Sequence, residues 1–166
     1  MEALGRLLRG GGEQMSDSYL ITDVIVNDVI LLDEEIHVDL KGPEGKCNVS
    51  IDVGCDEGPF EKGDDRRYTF KSETMVTVTM DDPDKSHIFL SALVRVGIAA
   101  SCEEGRTEEE AHLTLLERSL YEAYSFAKSL ILAGTRLSPM NGMIIPDVDP
   151  KKLLEAVIEA RGDSPK

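Results

Sequence analysis

The side chains that most often perform chemistry are few in this sequence and lie far apart. The chain contains three cysteines and three histidines, which are Cys47, Cys55, Cys102, His37, His87 and His112. No pair of them has the CxxC, HxxxH or HExxH spacing by which short motifs hold zinc. The cysteines are also too few and too widely spaced for a disulfide framework. We therefore expect reduced thiols and no metal site.

The carboxylates are numerous, but their spacing does not indicate catalysis. Adjacent pairs occur at Asp64-Asp65 and Asp81-Asp82, in turn-like segments where Asp is common for local backbone reasons. The acidic stretch 52–65 offers oxygen ligands without the EF-hand spacing. No GxGxxG, GxxxxGK[ST] or GxSxG motif is present, so phosphate-binding loops and nucleophile elbows are not indicated. The sequence predicts a protein that is not an enzyme and carries no cofactor.

Composition and charge restrict the class of protein further. The 166 residues suit a single domain with its own core, and the net charge is −14. Such an acidic surface repels nucleic acid and anionic lipid. No apolar run approaches the roughly 20 residues that cross a bilayer, and the first residues lack a secretory apolar region. We expect a cytoplasmic acidic protein that binds no nucleic acid and does not insert into membranes.

Composition also suggests where the domain begins and ends. We expect a disordered leader over residues 1–17, one domain over 18–161 and a tail over 162–166. Met15 is an alternative to Met1 as the start, and the sequence leaves that choice open.

Alternation of apolar and polar residues predicts an antiparallel sheet. The predicted strands are 19–32, 47–53, 67–80 and 87–100. The first of them is apolar on both faces and is expected to be mostly covered. Residues 35–40 are either a short strand or the end of a crossover. Gly42-Pro43 marks a turn, and the glycine-rich acidic stretch 54–65 is predicted to be a loop.

Two helices follow the strands. Thr107 and Glu110 have capping-box spacing, and the first helix is expected to run to Gly134, which would cap it in the left-handed conformation. Asp149 before Pro150 predicts the start of the second helix. Strands followed by helices indicate an α+β fold with the helices on one side of an antiparallel sheet.

The first helix is apolar over more of its circumference than one sheet would cover, which suggests a partner subunit. Its candidates for an oligomer interface are Leu120, Tyr124, Ala127, Leu130 and Ile131.

In this order the elements resemble the SecB family of export chaperones, over roughly residues 19–158. The best match is a helix with Tyr121 and Tyr124, followed by Gly134-Thr135, a proline-containing apolar crossing and residues 146–149 before the last helix. The strand segments NDVIL and HIFLSALVRVGI are also similar to family elements.

The resemblance implies a four-stranded antiparallel sheet with a long helix and a shorter C-terminal helix on one side. It also implies homodimers or homotetramers and the ATP-independent holding of unfolded polypeptides in apolar grooves. The preprotein translocase motor is a further implied partner. For that motor Asp28 matches one family docking acid, whereas Leu32 and Ala92 stand where others would be.

Apolar residues in the crossing and near it are candidates for a client-binding groove, because aliphatic and methionine side chains adapt to many sequences. They are Ile36, Val38, Leu40, Phe126, Leu137, Met140, Met143, Ile144 and Ile145. Two alternatives stay open: a non-catalytic adaptor of the same fold that binds one specific folded partner, and an enzyme or small-ligand carrier that uses the crossing as a pocket.

Overall fold

The computed structural model describes residues 24–103, 105, 107–136, 138–139 and 145–162. The elements in chain order are β1 (Val24–Val38), β2 (Asn48–Lys62), β3 (Arg67–Asp81), β4 (Ile88–Glu103), α1 (Glu108–Thr135) and α2 (Pro150–Gly162). Within these ranges neither helix combines the length and the apolar character needed to cross a bilayer. The predicted leader and the tail beyond Gly162 lie outside the described residues.

The strands form one antiparallel sheet in the order β1-β4-β3-β2. Helix α1 packs over β4, β3 and β1, whereas α2 packs against α1 and β2. Both helices therefore cover the same face of the sheet, which we call the covered face; the opposite face is the open face. The predicted α+β fold is confirmed.

The covered face carries the core. Alternate residues of β4 from Leu90 to Ala100 are all 2% exposed or less, as their alternation predicts. Each leucine, valine or isoleucine side chain among them, once removed from water, stabilises the fold by about 1.5–3 kcal/mol. Ile88 begins the same series but is 55% exposed, because it lies at the end of the strand.

Strand β1 differs from its prediction in length and in burial. It is continuous from Val24 to Val38 and has register shifts at Val26/Asp28 and at Leu31/Asp33. The bulges join two segments that the sequence suggested were separate. Strand β1 also lies at an edge of the sheet, so it is not mostly covered. Its large apolar side chains that are 37–50% exposed are Ile25, Val29, Ile30, Leu31 and Leu32.

The predicted loop over residues 54–65 is wrong, because β2 continues through it to Lys62. Gly58 and Pro59 lie at a register shift between Glu57 and Phe60, where the ladder with β3 is interrupted. An edge strand tolerates glycine and proline at such a bulge, since no neighbour on its other side needs the missing N–H donor. Only residues 63–66 form the turn to β3.

The helix starts agree with their sequence signals. Thr107 accepts a hydrogen bond from the Glu110 amide at 3.2 Å, and Glu110 accepts one from the Thr107 amide at 2.9 Å. At α2 the Asp149 carboxylate accepts from the Lys151 amide at 2.9 Å, with Pro150 at the first helical position. These bonds satisfy amides that have no partner inside the helix.

Gly134 does not cap α1 in the left-handed conformation. The helix continues to Thr135, and Gly42 is the one glycine with positive φ among the described residues. A Cβ atom at Gly134 would lie 2.9 Å from Cδ1 of Ile36. The absence of a side chain at Gly134 thus allows α1 to approach β1 closely. It does not end the helix.

The interface prediction for α1 needs correction at four positions. The four are at most 2% exposed within the single chain, and they are Leu120, Tyr124, Ala127 and Ile131. The chain's own sheet and returning segment cover them, so they offer no surface to a second copy. Leu130 is half-buried, so it is the one interface candidate whose side chain is partly exposed.

Candidate functional site

After the crossing, the chain returns along α1. Ile145 is 1% exposed, the Tyr124 hydroxyl donates to the Pro146 carbonyl at 2.9 Å, and the Lys128 ammonium pairs with Asp147. These contacts hold residues 145–147 against the helix. The start of α2 lies beside Arg118 and Tyr121, near the middle of α1.

The hydrogen bond from Tyr124 depends on a protonated phenol. Burial, and to a lesser degree the negative charge of Asp147, raises the pKa of Tyr124. Both factors disfavour the phenolate, so the hydroxyl remains a donor to Pro146 throughout the physiological range.

A groove of about 550 Å³ lies between α1 and the segment that begins α2. Its lining residues are Arg118, Tyr121, Asp147, Val148, Asp149 and Pro150. Tyr121 is 37% exposed, and its ring, Val148 and Pro150 provide an apolar surface beside two exposed carboxylates. We call this site the helix groove. Its chemistry suits an apolar side chain that has a basic neighbour.

The predicted groove residues do not line the helix groove. Ile36 and Val38 are half-buried on the covered face of β1, where Ile36 lies close to Gly134. Leu40 is 84% exposed beyond the end of β1, and Phe126 is half-buried against the core. Ile145 is a core residue rather than a groove residue, because α1 covers it.

The other four predicted groove residues, Leu137, Met140, Met143 and Ile144, lie outside the described residues. The residues that sequence reasoning missed as site candidates are Tyr121, Val148 and Pro150. Their signal was present in the tyrosine of the long helix and in the prolines that bracket residues 147–149.

Two histidines join separate segments of the chain through contacts with carboxylates. His112 near the start of α1 lies 2.5 Å from a Glu57 carboxylate oxygen, and His87 at the start of β4 pairs with Asp39. The Lys41 amide and then His87 lower the pKa of Asp39, because both stabilise its charged form. Among the described residues no three histidine, cysteine, aspartate or glutamate side chains group as a metal site would require.

Comparison with known proteins shows a likeness in structure but none in sequence. The sequence matches no protein-family model and no curated protein. A solved structure of the Mycobacterium tuberculosis SecB-like chaperone Rv1957, in complex with a ChAD peptide from the Rv1956 HigA1 antitoxin, superposes with a TM-score of 0.50. The fold is SecB-like.

That likeness covers 79% of this chain and 95% of the chaperone chain, at 11% sequence identity. At such identity it shows the fold alone. A Streptococcus agalactiae protein of unknown function matches over 74% of this chain and 96% of its own, with a TM-score of 0.42 and 9% identity. The likeness to the chaperone confirms the SecB-like order of strands and helices expected from the sequence.

Proposed function

We propose that this protein is an ATP-independent chaperone that holds unfolded polypeptides, and that the helix groove is part of its client-binding surface. The observation that carries the proposal is the SecB-like fold, which is shared with a chaperone solved with a bound peptide. The helix groove adds an apolar surface that the described residues leave open.

The physical basis is the burial of apolar surface. An unfolded client exposes apolar side chains, and a groove removes them from water at about 25 cal/mol per Å². Tyr121 provides a large apolar area with little conformational freedom to lose, and Val148 and Pro150 extend it. Such contacts select for apolar character rather than for one sequence, as a holding chaperone requires.

The carboxylates at the rim narrow the class of client. Asp149 is exposed at the groove, beside Asp147, which pairs with Lys128, in a chain whose net charge is −14. They favour segments in which apolar residues alternate with lysine or arginine. The same charge keeps a complex with an apolar client in solution.

We also propose that the protein works as a homodimer or homotetramer. Among the described strands, β1 lies at an edge of the sheet and has exposed apolar side chains on both faces, a combination that favours pairing with another strand. Leu130 on α1 is a second contact candidate.

Binding of the preprotein translocase motor remains a further prediction, and it rests on a single matching residue. Asp28, the matching acid, is exposed on the open face. Ala92 is fully buried on the covered face, so no partner reaches that position.

The experiment that tests the function uses a fluorescent, permanently unfolded polypeptide, with the folded form of the same polypeptide as control. We expect fluorescence anisotropy to show saturable binding of the unfolded form alone. Tyr121→Asp and Val148→Asp should each weaken binding at least about tenfold, since about 1.4 kcal/mol of lost apolar contact corresponds to that factor.

Leu113→Asp is the matched control, because Leu113 is 39% exposed on the same helix and does not line the groove. Equal losses in all three variants would place the client surface elsewhere on the molecule. Binding of a single folded protein, with no affinity for unfolded chains, would replace the chaperone with an adaptor of the same fold.

A further inference from the structure

The open face of the sheet contains a pocket of about 420 Å³ that is separate from the helix groove. The strand register shows how it forms, because directly paired residues of antiparallel strands lie on the same face. Two neighbouring cross-strand rows make its floor and ends: Asp28, Ala99 and Lys71 in one, and Ile30, Gly97, Glu73 and Asp56 in the other. We call this site the open-face pocket.

The centre of the open-face pocket is apolar. Gly97 has no side chain, and Leu32 extends over it, so that a Cβ atom at Gly97 would lie 3.5 Å from Cδ1 of Leu32. Ile30 is 50% exposed and Leu32 43% exposed. The exposed area of these two side chains is available to an apolar occupant.

The two ends of the open-face pocket are acidic. Asp28 on β1 and Asp56 on β2 are exposed, and three strand spacings with a two-residue offset along the strands separate them by about 16 Å. Among the described residues neither carboxylate has an ion-pair partner, whereas Glu73 pairs with Arg95 at 3.0 Å. Lys71 lies between the two ends, and its positive charge disfavours a cation at the centre of the pocket. A fitting occupant therefore has an apolar centre and two separated cations.

Residues 3–9 of this chain, with the sequence ALGRLLR, have that chemistry. The segment contains Leu4, Leu7 and Leu8, and its only charged residues are Arg6 and Arg9. The next lysine or arginine along the chain is Lys41. The three-residue separation of the arginines spans about 10 Å when extended, and their long side chains bridge the remaining distance to the two carboxylates.

The connection is long enough for the segment to reach the pocket. Fourteen residues, 10–23, separate Arg9 from Val24 at the start of β1. Extended, they reach about 46 Å, whereas Ile30 lies about 20 Å along β1 from Val24. A tether of this length gives an effective concentration of order millimolar, so even weak contacts suffice for occupancy.

We propose that residues 3–9 dock in the open-face pocket of the same chain, with the leucines over Gly97 and the arginines at Asp28 and Asp56. Docking would thus place against the sheet a part of the segment for which the sequence predicts disorder. This inference does not depend on the proposed chaperone function.

The test uses the absence of tryptophan from the sequence. In the full-length Leu7→Trp protein the single indole reports its own environment. We expect its emission at a shorter wavelength, and with weaker acrylamide quenching, than that of a synthetic peptide of residues 1–14 carrying the same substitution. The signal should not change with protein concentration, because docking within one chain does not depend on it.

Charge-reversal variants in the Leu7→Trp background identify the contacts. Asp28→Lys with Asp56→Lys should return the emission to that of the peptide, and so should Arg6→Glu with Arg9→Glu, which changes no residue of the pocket. Glu44→Lys with Asp64→Lys is the matched control, since both residues are exposed in turns outside the pocket, and it should keep the shift.

Three results would overturn the proposal. They are peptide-like emission in the full-length Leu7→Trp protein, a shift that survives both reversals, and a shift that grows with protein concentration. If circular dichroism shows that the Asp28→Lys, Asp56→Lys protein is unfolded, the emission of the Arg6→Glu, Arg9→Glu protein alone tests the proposed contacts.

Discussion

Gly42 occupies a position that no other residue type fits without strain. Its φ of +65° lies in the left-handed region, and a Cβ atom there would lie 2.9 Å from Cβ of Pro139. The turn after β1 thus touches the start of the crossing through a residue without a side chain. The sequence predicted a turn at Gly42-Pro43, but contact with the crossing depends on the folded chain.

Gly42→Ala should lower the free energy of unfolding by more than about 1–2 kcal/mol, the cost of the left-handed conformation alone, because contact with Pro139 adds to it. Urea denaturation measures the change. Gly45→Ala is the control in the same turn region, since a Cβ atom at Gly45 meets nothing within 4 Å. Equal denaturation midpoints for the two variants would contradict the assigned role of Gly42.

At the scale of elements, the two edge strands differ in how they resist pairing with another chain. Both edge strands contain bulges, but β2 also carries Pro59, and a proline discourages the addition of a strand. Strand β1 contains neither proline nor lysine and exposes apolar side chains on both faces. This asymmetry favours β1 as the edge along which two copies meet.

Leu31→Lys on β1 should therefore reduce the native mass towards the 18.2 kDa of one chain, as measured by light scattering after size-exclusion chromatography. Leu31 is 41% exposed, and the matched control is Val49→Lys on β2, where the side chain is 47% exposed. We expect the control to keep its mass.

The helix face is tested separately by Leu130→Asp, because an unpaired charge buried in a helix contact is costly. A native mass that changes in neither the Leu31 nor the Leu130 variant would remove both contacts from the proposed assembly.

For the whole molecule, the charge of −14 adds a long-range attraction to the short-range apolar contacts of the helix groove. Charge attraction is screened over about 10 Å at 0.1 M salt and about 3 Å at 1 M, whereas apolar burial does not weaken with salt in this way. The two contributions to client affinity are therefore separable by ionic strength.

We expect an unfolded polypeptide rich in lysine to bind more tightly at low salt than one rich in glutamate with the same apolar content. The difference should disappear towards 1 M salt, while binding of both persists. Fluorescence anisotropy titrations at several salt concentrations measure it. An affinity difference that is independent of salt would assign client selection to local contacts in the groove instead.

The sequence by itself determined the α+β class, the order of elements and both helix starts. These features rest on local signals: the alternation of Leu90 to Ala100, the capping box of Thr107 and Glu110, and Asp149 before Pro150. Each signal acts within a few residues, so no knowledge of the rest of the chain is needed to read it.

Only the tertiary structure decided which apolar residues remain accessible. Leu120 and Leu130 are both leucines on α1, yet one is fully buried and the other half-buried. Strand β2 continues through Gly58-Pro59 because β3 pairs with it on both sides of the bulge. The exposed side chains of β1 and the open-face pocket follow from the strand order and register. Burial is set by neighbours distant in sequence, and a local pattern does not contain them.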